Sequence, residues 1–116
     1  VKRKPIPQKV RRRVYEKYGG RCAYCGQPIA YRDMQVEHLV PLAKGGADRE
    51  ENYMPSCHTC NHYKHTLTIE QFREEIERLT ARLRERSYIY RLALRHGRIR
   101  ETTKPVRFYF EKEAER

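Results

Sequence analysis

Two Cys-x-x-Cys pairs, Cys22–Cys25 and Cys57–Cys60, bracket the dipeptide Glu37-His38, and Asn61 follows the second pair directly. Four thiolates delivered as two knuckles suit one tetrahedral metal ion, normally zinc, and a closed all-thiolate shell leaves no position for water. The expected role of that ion is therefore structural. A redox Cys-x-x-Cys usually occurs once and near a βαβ pattern, which is absent, and a disulfide framework needs an oxidising compartment. The chemistry falls to the residues in register with the pairs. Histidine is a common general base near neutral pH, with an unperturbed pKa of about 6.5. The carboxylate of Glu37 and an amide oxygen from Asn61 can together seat Mg²⁺, which takes one or two protein ligands and fills its other positions with water and phosphate oxygens. Such a site activates water and stabilises a departing alkoxide. Each of these residues alone has a bland reading as surface or turn polarity. Their registration against the cysteines is what points to function.

The elements that must position them follow from local pattern. Val10, Val14 and Tyr18 recur every four residues, which predicts a helix from Pro7 to Tyr18, stopped by Gly19-Gly20. Residues 21–26 form a tight knuckle in which Gly26 takes the left-handed conformation. Met34 to His38 reads as a short strand and Asn52-Tyr53-Met54 as its return, closed by Pro55. His58 to His65 reads as a short helix. Thr68 and Gln71 match a capping box. The apolar positions Ile69, Phe72, Ile76, Leu79 and Leu83 then predict one amphipathic helix to about Arg86, its stripe packed on the domain. Tyr88 to His96 reads as a further helix ended by Gly97. Val106, Phe108 and Phe110 alternate with polar neighbours as in a half-buried strand, and the residues from Glu111 onward as a frayed end.

Charge divides the chain along the same lines. The net charge is +11 over 116 residues. Residues 1–21 carry +8, residues 22–65 carry -1 and residues 66–116 carry +4. A nearly neutral centre between basic flanks suits a protein whose flanks grip phosphates while its centre does something else. Arg11, Arg12 and Arg13 spread around the first helix, and some of them are expected to contact nucleic acid. No apolar run reaches membrane-spanning length and no signal peptide is visible, so a cytoplasmic protein is expected, with DNA rather than a membrane as its partner. Only 38% of residues are hydrophobic, and so polar a chain gains from a metal staple.

Cys-Ala-Tyr-Cys-Gly, Val-Glu-His-Leu-Val-Pro-Leu-Ala-Lys-Gly-Gly and Glu-Asn-Tyr-Met-Pro-Ser-Cys-His-Thr-Cys-Asn-His-Tyr-Lys resemble, in order and spacing, the motifs of the HNH endonucleases. The likeness covers roughly residues 20–65. It implies an α+β fold: a ββα-metal core clipped by a four-cysteine zinc site, here with a basic N-terminal helix (1–20), the core (21–65) and a C-terminal extension of helices plus a short strand (66–116), all one domain. It also implies a DNA-cutting enzyme, bacterial or phage-encoded, using one divalent metal, Mg²⁺ or Mn²⁺. His38 becomes the general base. Asn52, the middle letter, braces the loop that positions the histidine. Asn61, the last letter in a variant ending in Asn, becomes a metal ligand with Glu37, which stands where Asp is usual. Lys64 matches a basic position that meets phosphate, and His65, four residues after Asn61, is a further candidate ligand. His58, His62 and His96 receive no role. A non-catalytic zinc module binding DNA or RNA is the rival reading, with a protein-docking knuckle third. Monomer and homodimer both remain open.

Overall fold

Residues 5–116 are described in the computed structural model; Lys2, Arg3 and Lys4 of the basic start lie outside the described residues. Helix α1 spans Gln8–Glu16, with Val14 its buried contact to the core. Strands β1 (Gln35–His38) and β2 (Tyr53–Ser56) form an antiparallel hairpin with His38 opposite Tyr53 and Glu37 opposite Met54. Helix α2 (His58–Lys64) follows at once, its N-terminus capped by Cys57, whose sulfur accepts from the Cys60 amide. The ββα unit thus forms where the motifs require it. Pro55 sits within β2 rather than beyond it, and its carbonyl accepts from the Ala23 amide of the first knuckle at 2.9 Å.

The amphipathic segment forms as two helices, α3 (Ile69–Glu77) and α4 (Leu79–Arg86), rather than one. The break falls at Arg78 (φ -87°, ψ -8°). The reason lies in the partners of the stripe. Phe72 is buried and Ile69 and Ile76 pack beside it, whereas Leu83 is exposed, so α3 follows the core and α4 leaves it to pack against α5 (Tyr88–Arg95). The Thr68–Gln71 capping box forms in both directions.

The expected C-terminal strand does not form. Residues 106–108 run without a partner strand, and helix α6 occupies Tyr109–Ala114, where a frayed end was expected. The first amides of a helix have no acceptors within it, and the first knuckle supplies them here: the Tyr109 and Phe110 amides donate to the carbonyls of Tyr24 and Ala23 at 3.0 and 2.8 Å. Arg73 of α3 fastens the segment with paired bonds to the Glu111 carboxylate at 2.8 and 2.7 Å and a third to the Val106 carbonyl. Phe108 is thereby seated in the core, stacked on Phe72 at 5.1 Å, with Tyr24 edge-on to both at 5.6 Å. None of the described helices is long and apolar enough to cross a membrane.

Candidate active site and thiolate cluster

The four cysteine sulfurs lie within 4.8 Å of one another, and among the described residues theirs is the only group of three or more ligating side chains gathered in this way. Cys22 sits in the core, while Cys25 is exposed. Hydrogen bonding from Cys60 holds the Cys22 thiol down at about 5, whereas burial pushes Cys25 up to about 11. The cluster can hold a metal ion.

His38 closes β1 at the loop end of the hairpin, with its side chain largely covered. The loop from residue 39 to 52 is held by Asn52. Its Oδ1 accepts from the Val40 amide, and its Nδ2 donates to the Val40 and Ala47 carbonyls, all at 2.9 Å. The Leu39 amide donates to the Asn52 carbonyl as well. Gly46 permits the closure, because a Cβ there would stand 1.8 Å from the Val40 carbonyl oxygen. The loop returns Asp48 to the histidine: Oδ1 of Asp48 lies 2.9 Å from Nε2 of His38 and accepts from the Tyr53 hydroxyl at 2.8 Å. The Tyr53 ring meets the imidazole edge-on at 5.4 Å.

A cavity of about 540 Å³ opens beside this unit, lined among others by Gln35, Glu37, His38, Asn61 and His65. Glu37 and Asn61 border it together, yet their side chains are engaged elsewhere. The Asn61 amide donates to Oε1 of Gln35. The Glu37 carboxylate is buried, accepting from the Tyr24 hydroxyl on one oxygen and from Nζ of Lys64 at 3.2 Å on the other. Burial raises the Glu37 carboxyl to about 7 against the opposing pull of Lys64, and burial lowers the Lys64 ammonium against the pull of Glu37.

Lys64 corrects the expectation of a phosphate contact. It has no exposed surface, and its ammonium also donates to the His38 carbonyl at 3.0 Å. A residue so enclosed cannot reach a phosphate; it answers a buried carboxylate instead. His65 is exposed on the cavity wall with a positive φ of 44° and joins no cluster of ligating groups. The arginines of α1 do not form one patch. Arg11 and Arg12 both lie over the Tyr31 ring, at 5.0 and 4.9 Å, and Arg13 makes a bidentate pair with Glu50. Asp48, Tyr24 and Gln35 were missed by sequence reasoning. Each acts on a partner at least ten residues away in the chain, and nothing local marks that partner, even for Tyr24, which lies inside the first Cys-x-x-Cys pair.

Residues 22–67 match the family model described as HNH endonuclease. That segment resembles an HNH endonuclease domain. The chain is also similar, over part of its length, to two proteins described as CRISPR-associated endonuclease Cas9. The one from Corynebacterium diphtheriae is 43% identical over 44 residues, which is 37% of this chain and 4% of that protein. The one from Actinomyces naeslundii is 39% identical over 56 residues, or 47% of this chain and 5% of that protein. The crystal structure of the Type II-C Cas9 enzyme from Actinomyces naeslundii superposes with a TM-score of 0.54 at 26% identity, over 90% of this chain and 12% of that one. The chain therefore spans a small fraction of the length of these relatives. Its flanking helices share in the structural likeness as well as its ββα core.

Proposed function

We propose that this HNH domain is a metal-dependent DNA endonuclease that hydrolyses phosphodiester bonds with His38 as general base. The observation that carries the reading is the position of His38 at the end of β1, lining the cavity that Asn61 also lines, where a loop stapled by Asn52 begins. Neutral His38 takes a proton from water. The resulting hydroxide attacks phosphorus in line, the bond to the 3′ oxygen breaks, and that oxygen leaves to be protonated. The products carry a 5′-phosphate and a 3′-hydroxyl.

The donor set fits two metals. Zinc suits the thiolates: bonds of about 2.3 Å in a tetrahedron set sulfurs about 3.8 Å apart, and Cys25 and Cys57 stand 3.8 Å apart. Mg²⁺ or Mn²⁺ suits the oxygens of Glu37 and Asn61, where it would stabilise charge on the phosphoryl and leaving oxygens. Glu37 serves only by exchanging Lys64 for the cation, since that ammonium already answers its carboxylate. Basic side chains outside the core, Arg11 and Arg12 among them, would hold the DNA backbone, so binding weakens steeply with salt. Free thiols in such a cluster suit a reducing cytoplasm.

A supercoiled-plasmid nicking assay with and without Mg²⁺ tests the reading. His38→Ala is expected to abolish cleavage while retaining zinc content and DNA binding. Cleavage by His38→Ala at the parental rate overturns the general-base assignment. The engagement of Glu37 with Lys64 favours one second reading, a zinc module that binds nucleic acid without cutting it. Metal-independent DNA binding with no nicking by the parent protein would select that reading.

A further inference from the structure

We infer that Asp48 is the positioning residue of His38, fixing the imidazole with its proton on Nε2 so that Nδ1 is the nitrogen that receives the proton from water. The inference rests on the general-base reading of His38 and adds to it a second residue and a choice of nitrogen.

An ionised carboxylate only accepts hydrogen bonds, so a neutral imidazole that meets one must donate to it. Oδ1 of Asp48 lies 2.9 Å from Nε2 of His38, which makes Nε2 the protonated nitrogen and leaves the lone pair on Nδ1. The Tyr53 hydroxyl donates to the same Oδ1 at 2.8 Å, so two donors converge on one oxygen. Tyr53 also confines the imidazole by its edge-on ring contact and is paired with His38 across the hairpin. Histidine, aspartate and tyrosine thus form one unit, with two members on adjacent strands and the third on the loop between them.

The loop is built to return that third member. Asn52 donates to the Ala47 carbonyl, one residue before Asp48, while gripping Val40 on the other limb of the loop. Gly46 is the one residue type that fits where the limbs approach. The brace and the glycine therefore set the carboxylate as well as the histidine. When the imidazole takes its second proton at Nδ1, the Asp48 carboxylate stabilises the resulting cation through a charge-assisted bond. A histidine lacking that carboxylate would retain its place in the strand and lose the acceptor that sets its tautomer.

The test uses the full chain with its four-cysteine site loaded with zinc. Long-range ¹H–¹⁵N correlation spectra of the parent in mildly alkaline buffer should show the His38 proton on Nε2, in a hydrogen-bonded, slowly exchanging signal. A proton on Nδ1 overturns the inference whatever the enzymology. Asp48→Ala should lose that signal and lower kcat by about 10²-fold, with KM for plasmid and zinc content unchanged. Asp48→Asn, which keeps an acceptor oxygen without the charge, should fall between parent and Asp48→Ala, and it serves as the informative variant if Asp48→Ala melts early. A loss of kcat with the Nε2 signal intact assigns Asp48 a structural role only and overturns the inference. If His38→Ala is dead while both Asp48 variants cut at the parental rate, the inference fails and the general base stands. If His38→Ala cuts normally, the reading of His38 has failed first.

Discussion

Lys64 and Glu37 show how one residue's burial changes its role. A lysine without exposed surface is tolerated only when its charge is answered, and here one carboxylate oxygen, one main-chain carbonyl and the Tyr24 ring face answer it. Removing one partner strands the other. Lys64→Met is therefore expected to cost about 3–5 kcal/mol in urea unfolding. The double variant Glu37→Gln/Lys64→Met should be markedly more stable than the sum of the single losses, because no uncompensated charge remains. Strict additivity would show that the two residues are not energetically coupled. The same pair makes Glu37→Ala a poor probe of metal binding, since activity would fall with stability. Glu37→Asp, which keeps the charge, is the better variant. None of this was legible in the linear sequence. The positions of Asn61 and Lys64 on one short helix are readable from spacing, but the buried carboxylate that claims the lysine lies 27 residues earlier.

Element boundaries were legible where local chemistry sets them and illegible where distant partners do. The hairpin, α2, the Thr68 cap and the stop at Gly97 all follow from residues within a few positions of each boundary. The break at Arg78 and the helix at Tyr109–Ala114 do not. The first depends on where the core ends, and the second on carbonyls of a knuckle some 85 residues away in sequence. Alternation at Val106, Phe108 and Phe110 looked like a strand because all three pack on the core, yet the Val106 and Phe108 amides go to the carboxylates of Glu77 and Glu111 and the Phe110 amide to the knuckle. The Arg73–Glu111 clasp that holds it predicts a pH dependence. Arg73 holds the Glu111 carboxyl below the usual carboxylate range, so the clasp contributes fully above that range. Its contribution is lost as pH falls through the lowered value. Glu111→Gln should cost about 1–2 kcal/mol near neutral pH and flatten the acid limb of the stability curve. An acid limb identical to the parent's would remove the clasp from the account.

At the scale of the molecule, the thiolate cluster ties the elements together. It joins the first knuckle to the N-terminus of α2, and Tyr24 within that knuckle reaches Glu37 behind the cavity. Loss of the ion should therefore reach the candidate site through geometry. Chelation followed by saturating Mg²⁺ is expected to leave little nicking activity and reduced helicity by circular dichroism, and zinc should restore both. Full helicity and activity in a zinc-free preparation would contradict that coupling. The molecule is elongated, 50 × 29 × 27 Å, and α5 carries the exposed Tyr88, Ile89 and Leu92.

The bonds from Tyr109 and Phe110 to Tyr24 and Ala23 bear on synthesis as well as stability. During translation, both cysteine knuckles emerge long before those two amides do. A nascent chain that has reached only Arg100 holds all four thiols without the segment that seats Phe108 in the core. Metal capture and completion of the core are thus separated in time, and the ion can hold the partly made domain in register until its last helix arrives.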